Sequence, residues 1–190
     1  AGRLRVASHG AWRVLWFDNV EQGMTCHHHV SGELLPAVVG FDYQRTMVAA
    51  AVALAQPAAS ASTMLMVGLG AGSCSAAAQS LLRHSGVRVE AVEIDEAVIE
   101  AAESVHGLRI QRIPGQPARD TAAGGIPVIL GDAEAHLRSL ARGSLCCVCL
   151  DAYDAKGRVP AHLRAPPFAR ALGAALAPGG YVLANLWDGT

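Results

Sequence analysis

A glycine-rich turn and four carboxylates are the residues of this sequence whose types and spacing suggest chemistry. The turn, residues 68–72, follows a short apolar run. Glu93, Asp132 and Asp151 each stand at the end of a later apolar run, and Asp154 follows closely. Glycine lets the backbone turn sharply and lets a ligand approach it, while carboxylates accept hydrogen bonds from hydroxyl and amino groups. Together these residues predict a site for a nucleoside-bearing ligand.

The spacing of the glycines distinguishes two kinds of nucleotide site. A dinucleotide fingerprint that starts at Gly68 and Gly70 requires its third glycine at position 73, where this chain has Ser73. The observed order, with Gly72 as the third glycine, resembles the cofactor turn of S-adenosylmethionine-dependent transferases. Gly68, Gly70 and Gly72 are therefore predicted to bind a cofactor of that kind, which has a charged tail and no phosphate. A tight strand-to-helix connection without a ligand is the alternative.

Each carboxylate has a candidate role in that site. Glu93 lies about 20 residues beyond the turn, where an acid can accept hydrogen bonds from both ribose hydroxyls. Asp132, with Ala133 beside it, is predicted to accept a hydrogen bond from an adenine amino group, or else to cap the helix that follows. Asp151 and Asp154 close the next strand. Ligands of open α/β sheets bind at the carboxyl ends of parallel strands, where all these acids are expected.

Apolar strands alternate with helices in the second part of the chain, and this order must position the site. Strands are predicted at residues 64–68, 88–93, 126–130, 145–150 and 180–186. Helices are predicted at about 74–84, 96–105, 133–140 and 166–176, with a long loop at 109–125. This alternation favours an α/β fold, with a parallel sheet that is covered by helices on both faces. The fold class expected is a Rossmann-like, S-adenosylmethionine-dependent methyltransferase fold.

The first part of the chain has a different texture. Two β-type runs, Trp12–Phe17 and Met24–Val30, flank a connection at residues 18–23 and predict a hairpin. An apolar helix is expected at Phe41–Leu54, followed by a linker of small residues at 57–62. We therefore expect two units. Residues 1–56 form a β-hairpin segment with a helix, and residues 63–190 form the Rossmann-like domain.

Composition and charge exclude several classes of partner. The 190 residues carry 15 basic and 16 acidic side chains, so no overall field favours nucleic acid or an anionic membrane. Hydrophobic residues make up 52% and charged residues 16%, against a usual charged share of about 25%, which indicates a large core and not a disordered chain. No apolar run approaches the ~20 residues that cross a bilayer. We expect no nucleic acid and no membrane partner.

Cysteine and histidine clusters do not predict a metal site. Cys146 and Cys149 match C-x-x-C but lie on an apolar strand, where residues three apart are about 10 Å from each other and face opposite sides. They are interpreted as core residues. The run Cys26–His29 has no second ligand cluster near it in the sequence and is interpreted as a solvated loop or strand. Five cysteines without a disulfide pattern indicate a reducing compartment, so a cytoplasmic location is expected, or an organelle if a transit peptide was removed.

The sequence resembles the spermidine-synthase-like family along nearly all of its length. The matching segments are Phe17–Gln22, Asp42–Gln44, Gly68–Gly72, Val92–Asp95, Gly131–Asp132 and Asp151–Asp154. The resemblance implies that Gln22 binds the cofactor and that Asp151 contacts it while helping to deprotonate an amine. Tyr43 and Asp154 are implied as catalytic partners, and Tyr43, Gln44 and Tyr153 as the lining of the acceptor pocket. The alternatives are core packing for Tyr43 and a loop position for Asp154.

Two departures from the family affect the reaction that we expect. Polyamine-making members have an acid in the cofactor turn, which faces the cationic tail of decarboxylated S-adenosylmethionine, whereas this chain has Ala71. Ala71 therefore favours methyl transfer from S-adenosylmethionine to an amine, either a small polyamine or a protein amine. Aminopropyl transfer to a polyamine and a non-catalytic binding module are the alternatives. The family also continues beyond the fifth strand, so we expect the C-terminal strands to be missing, and the resemblance implies a homodimer.

Overall fold

The N-terminal part of the chain forms an antiparallel sheet. The computed structural model describes residues 3–55, 61–113, 124–154 and 156–186. The sheet has the order β1-β2-β3-β4, with strands β1 (Leu4–His9), β2 (Trp12–Phe17), β3 (Val20–His27) and β4 (Leu34–Val39). Helix α1 (Asp42–Leu54) follows and confirms the helix expected there.

The predicted hairpin is tighter than expected and belongs to this larger sheet. Residues 20–23 were predicted to connect the two strands, but they form the start of β3. Only Asp18 and Asn19 connect β2 to β3, and Asp18 adopts a left-handed backbone with φ 52°. An Asp-Asn pair suits such a two-residue turn, because both side chains tolerate a positive φ. The shorter turn carries Gln22 on a strand.

The second sheet confirms the predicted parallel α/β architecture. Its order is β10-β9-β5-β6-β8-β7 and every pair is parallel. The strands are β5 (Thr63–Val67), β6 (Arg88–Glu93), β7 (Ile110–Ile113), β8 (Ile126–Leu130), β9 (Leu145–Leu150) and β10 (Leu176–Ala184). Strand β9, including Cys146 and Cys149, is buried apart from its last residue, and both cysteines have free thiols.

Helices cover both faces of this sheet. They are α2 (Ser73–Leu82), α3 (Glu96–Ser104), α4 (Ala133–Ser139), a 3₁₀ turn (Ala161–Arg164) and α5 (Pro166–Ala175). One buried cluster packs α1, α2 and α3 against the sheet, and a second cluster packs α4 and α5 against the sheet. None of the helices in the described ranges has the length and apolar character needed to cross a bilayer.

The strand order creates a crevice at one place along the sheet. From β5 the chain proceeds to β6 and β8 on one side, and it later crosses to β9 on the other side of β5. The loops that leave β5 and β9 therefore diverge in opposite directions. Such a switch point is where ligands bind in open α/β sheets, outside the carboxyl ends of the strands.

Strands β1 and β4 were not among the predicted elements, and two stretches of the parallel sheet also differ from the prediction. Strand β7 lies within the predicted loop 109–125, where its polar sequence Ile-Gln-Arg-Ile is stabilised by pairing with β8. Strand β10 begins at Leu176, four residues before the predicted start, with an irregular register up to Tyr181. The remaining part of the predicted loop, residues 114–123, and most of the predicted linker lie outside the described residues.

Candidate active site

A cavity of about 860 Å³ lies at the switch point, against the loop between β2 and β3 and the start of α1. Its volume is within the usual range for small-molecule sites. The predicted site residues that line it are Gln22, Tyr43, Gln44, Gly68, Gly70, Glu93, Asp132, Ala133, Asp151, Tyr153 and Asp154. Gly72 is not part of the lining. It is the N-cap of α2 with φ 79°, and a Cβ there would collide with Leu108.

Contacts within the protein require the glycines of the turn after β5. A Cβ at Gly70 would lie 2.6 Å from the carbonyl oxygen of Gln22, and one at Gly68 would overlap the carbonyl oxygen of Asp151. Both residues also have a positive φ, which L side chains rarely adopt. The glycines therefore let β3 and the end of β9 approach the turn. Packing within the protein is enough to explain these two glycines, so they are not evidence for a ligand. That evidence has to come from the carboxylates.

Glu93, the last residue of β6, is held by three backbone donors. Its Oε2 accepts from the N–H of Leu69 at 2.9 Å, and its Oε1 accepts from Ile94 at 2.8 Å and Asp95 at 3.0 Å. Burial raises the pKa of Glu93, while these donors act to lower it. A carboxylate accepts about four hydrogen bonds, so roughly one position remains for a ribose hydroxyl.

Asp132 both caps a helix and lines the cavity. Its Oδ1 accepts from the N–H of Ala135 at 2.9 Å in the first turn of α4. Its Oδ2 lies 2.9 Å from Nε2 of His162, which is on the 3₁₀ turn and also lines the cavity. The two roles predicted as alternatives for Asp132 are therefore compatible. Sequence reasoning did not find His162, because no motif links it to a residue so far away in the chain.

Asp151, at the end of β9, lies within a group of hydrogen-bonded polar side chains. Tyr43 donates its hydroxyl to Oδ2 at 3.3 Å, and Asn185 donates its amide to Oδ1 at 3.0 Å. Burial raises the pKa of Asp151, although the hydrogen bonds from Asn185, Tyr43 and Gln44 lower it. Burial and the Asp151 charge also raise the pKa of Tyr43, so its phenol stays protonated and remains a donor. The structure thus brings together Tyr43 and Asp151, two of the three residues predicted to be catalytic.

Asp154 and Tyr153 have their polar groups engaged within the protein. Oδ1 of Asp154 accepts from the backbone N–H of Lys156 at 2.8 Å and of Arg158 at 3.0 Å. Although slight burial acts to raise it, hydrogen bonds to Arg158 and Lys156 lower the pKa of Asp154. The Tyr153 hydroxyl donates to the carbonyl oxygen of Asn185 at 2.6 Å. The contacts of Asp154 favour its alternative role, which is to organise the loop after β9.

Gln22 lines the cavity and has a side-chain donor without a partner among the described residues. That donor, Nε2, is buried. A buried donor left unpaired costs about 1–3 kcal/mol, and a ligand acceptor at this position would remove that cost. The hydrogen bonding of Gln22 is therefore incomplete without a ligand, and the same holds for Nε1 of Trp16, which also lines the cavity.

The run Cys26–His29 was predicted to be solvated, but only His28 and His29 are exposed, whereas Cys26 and His27 are buried at the end of β3. Among the described residues, no group of three or more His, Cys, Asp or Glu side chains is placed to hold a metal ion. His27 instead contacts the Thr25 hydroxyl at 2.9 Å and the carbonyl oxygen of Gly32 at 3.1 Å. The same hydroxyl lies 2.7 Å from Nδ1 of His106, so these side chains join β3 to the segment after α3.

Comparison with known proteins identifies the fold. No family model and no curated protein matches the sequence. A probable spermidine synthase from Corynebacterium glutamicum is similar in structure, with a TM-score of 0.70 and 17% identity, over 94% of this chain and 58% of the other. Spermidine synthase from Thermotoga maritima has a TM-score of 0.50 and 18% identity, over 92% of this chain and 54% of the other.

A methyltransferase of the same fold class is also similar. Human methyltransferase-like protein 13, in complex with SAH, has a TM-score of 0.55 and 20% identity, over 75% of this chain and 64% of the other. This chain thus spans between 54% and 64% of the length of these three structures. It has the spermidine-synthase-like form of the S-adenosylmethionine-dependent methyltransferase fold.

Proposed function

We propose that this chain contains the cofactor site of an S-adenosylmethionine-dependent transferase that methylates an amine. The observation that carries the proposal is the placement of Asp151. Its carboxylate, held by Tyr43 and Asn185, lines the same cavity as Glu93 and Asp132. A proton acceptor and two nucleoside-binding carboxylates therefore face one space.

The residues present fit the cofactor. Glu93 keeps about one acceptor position for a ribose hydroxyl, and Asp132 presents a carboxylate to an exocyclic amino group. Gln22 supplies a buried donor that lacks a partner among the described residues. Ile94, 67% exposed and next to Glu93, supplies an apolar surface against which a purine can pack. The cavity thus has residues suited to hold the ribose and the base of a nucleoside.

The chain's own residues handle the proton of the acceptor. S-adenosylmethionine, when bound, supplies a methyl group activated by a sulfonium sulfur. An amine acceptor carries an extra proton near neutral pH and must lose it before its nitrogen has a lone pair to react. Asp151 takes that proton, and its raised pKa suits it to do so because a stronger base accepts a proton more readily. Tyr43 stays protonated and orients the carboxylate.

Ala71 supports methyl transfer over aminopropyl transfer. Ala71 is 1% exposed, and its side chain faces Gly23 of β3, where an added Cβ would lie 3.0 Å from the Ala71 Cβ. A carboxylate would not fit this contact without displacing β3. The turn therefore offers no charge partner to the cationic tail of decarboxylated S-adenosylmethionine. Aminopropyl transfer is the second candidate because of the likeness to two spermidine synthases.

Calorimetric titration with each cofactor tests the proposal. We expect S-adenosylmethionine to bind more tightly than decarboxylated S-adenosylmethionine, and the reverse order would favour aminopropyl transfer. Methyl transfer to small polyamines and to peptide amines is then measured. Asp151→Asn should retain cofactor binding and lose about 10²- to 10⁴-fold in turnover. Asp18→Asn, the same change outside the cavity, is the control. Cofactor binding without a product from any amine would favour a non-catalytic module.

A further inference from the structure

A chain of hydrogen bonds leads from the start of α2 to Asp151. Ser73 donates its hydroxyl to Oε1 of Gln44 at 3.0 Å, and Nε2 of Gln44 donates to the Tyr43 hydroxyl at 3.3 Å. Tyr43 then donates to Oδ2 of Asp151 at 3.3 Å. Ser73 stands at the position where a dinucleotide fingerprint has glycine, and the proposed function gives it no role.

The direction of donation along this chain is fixed at the Asp151 end, because an ionised carboxylate only accepts hydrogen bonds, whereas the Ser73 hydroxyl can donate or accept. The amide of Gln44 has an oxygen that only accepts and a nitrogen that only donates. With its oxygen bound to the Ser73 hydroxyl, Gln44 can present only its N–H₂ group to Tyr43. The phenol oxygen accepts from Gln44, so its own proton is directed to Asp151. Ser73 and Gln44 are 5% and 3% exposed, so bulk water is excluded as an alternative partner.

We propose that Ser73 is a positioning residue whose hydroxyl gives the buried amide oxygen of Gln44 a donor, and thereby stabilises the orientation in which Tyr43 donates to Asp151. The effect on the reaction rests on the proposed function, but the orientation itself is a property of this chain alone. Gln44, predicted as an acceptor-binding residue, acts in this arrangement on Asp151 directly and through Tyr43. Without the Ser73 hydroxyl, the amide is free to turn its oxygen toward Tyr43, and the phenol then donates to Gln44 instead.

Loss of that donor has a defined effect on Asp151. Hydrogen bonds from Tyr43 and Gln44 stabilise the charged carboxylate, so losing them raises the pKa of Asp151 further. The titratable groups that face Asp151 from other elements are Cys74 on α2 and Cys149 on β9. Burial raises the pKa of Cys74, and a hydrogen bond with Cys147 and burial raise that of Cys149, so both thiols stay neutral.

The other carboxylates and basic side chains that line the cavity with Asp151 lie on several elements: Glu21 on β3, Glu93 at the end of β6, Asp95 before α3, Asp132 before α4, Asp154 and Lys156 on the loop after β9, and His162 on the 3₁₀ turn. The Asp154 carboxylate is bound to the backbone of the loop after β9 and to Arg158. The hydrogen bonds from Ser73 through Gln44 to Tyr43 join α2 to α1. A change at Ser73 therefore reaches Asp151 through Gln44 and Tyr43.

Carboxyl NMR titration of Asp151 in the whole chain without cofactor tests the inference directly. Ser73→Ala should raise the pKa of Asp151 by roughly 0.5 to 1, about the effect of one hydrogen bond. Ser73→Thr keeps the hydroxyl and should restore the original value, and Ser73→Cys is a second, smaller replacement if threonine perturbs packing. Ser75→Ala is the matched control, because Ser75 is buried on the same helix and lies outside the chain of hydrogen bonds.

Kinetics give the second readout. In Ser73→Ala, the acid limb of the pH–rate profile should move to higher pH by the same amount, with kcat lowered and cofactor affinity unchanged. The inference would be overturned if the pKa of Asp151 in Ser73→Ala equals that in the wild type and in Ser75→Ala. This holds whatever the activity of the variants. Absence of cofactor binding in the wild type would instead overturn the proposed function and leave the NMR result decisive for Ser73.

Discussion

The imidazole Nε2 of His162 lies 2.9 Å from Oδ2 of Asp132, and this contact joins the 3₁₀ turn to the first turn of α4. Because Oδ1 of Asp132 caps α4, both carboxylate oxygens already have a partner in the protein. A ligand amino group at this edge of the cavity must share an oxygen with one of them. Asp132 therefore has a structural role and a candidate binding role that mutation can separate.

Asp132→Asn should weaken ligand binding and leave the fold intact. Asparagine caps helices about as well as aspartate, so the free energy of unfolding should change by less than about 1 kcal/mol. The charged acceptor is lost, so the affinity for S-adenosylhomocysteine should fall by about tenfold or more. Calorimetry measures the affinity, with Asp18→Asn as the control. Unchanged affinity would exclude Asp132 from the site.

Gly70→Ala should destabilise the protein more than a glycine replacement that meets no neighbour. Gly70 and Gly10 have similar backbones, with φ 53° and φ 59°, but an added Cβ at Gly10 has nothing within 4 Å. Gly10→Ala therefore measures the backbone cost alone, about 1–2 kcal/mol. Gly70→Ala adds the clash with Gln22 and should cost at least about 1 kcal/mol more. Chemical denaturation compares the two, and equal losses would show that the close approach of β3 is not required.

Glu90→Gln should change how stability depends on pH. Glu90 is 1% exposed, and its Oε1 lies 3.7 Å from Arg88 without a hydrogen-bond partner among the described residues. Burial raises the pKa of Glu90 above 4.5, so its contribution to stability is present below pH 4.5 and is lost as the pH rises through the folded-state value. Glu90→Gln removes this loss.

The advantage of Glu90→Gln over the wild type should therefore grow from pH 4 to pH 8. The stability difference between Glu90→Gln and the wild type should increase by about 1.4 kcal/mol for each unit by which folding raises the pKa of Glu90. Urea denaturation across this range measures it, and Glu100→Gln, an exposed change on α3, is the control. Parallel curves for Glu90→Gln and the wild type would show that Glu90 has an ordinary pKa.

His106→Asn should make the protein less sensitive to acid. His106 is fully buried, and burial lowers its pKa from 6.5 to about 4. Between pH 6.5 and 4 the unfolded chain therefore binds a proton at His106 and the folded chain does not. The free energy of unfolding should fall by roughly 3 kcal/mol over this range as the pH is lowered. Asparagine can replace Nδ1 in the contact with Thr25 but does not titrate. Thermal denaturation at pH 4.5 and 7 measures how much stability each protein loses in acid, and His84→Asn, an exposed change, is the control. If His106→Asn loses as much stability in acid as the wild type, the pKa of His106 is not lowered by burial.

Local patterns predicted most of the parallel sheet. Runs such as Ile126–Leu130 and Leu145–Leu150 are apolar, short and bounded by turn residues, and the structure places strands at these bounds. Strand β7 escaped prediction because its sequence is half polar and its strand conformation depends on pairing with β8. The start of β3 was misplaced because Gln22 and Gly23 are residue types that are common in turns. Their strand conformation depends on pairing with β2, which the local sequence does not show.

The sequence by itself determined the alternation of strands and helices, the glycine turn, and the carboxylates that end the strands. These are local features, because periodicity and turn chemistry depend on neighbouring residues. Only the tertiary structure decided which side chains meet those carboxylates. His162 reaches Asp132 and Asn185 reaches Asp151 because the loop after β9 and strand β10 return to the same edge of the sheet. Ser73 acquires a partner in Gln44 because α1 packs beside α2, a contact that no spacing along the chain specifies.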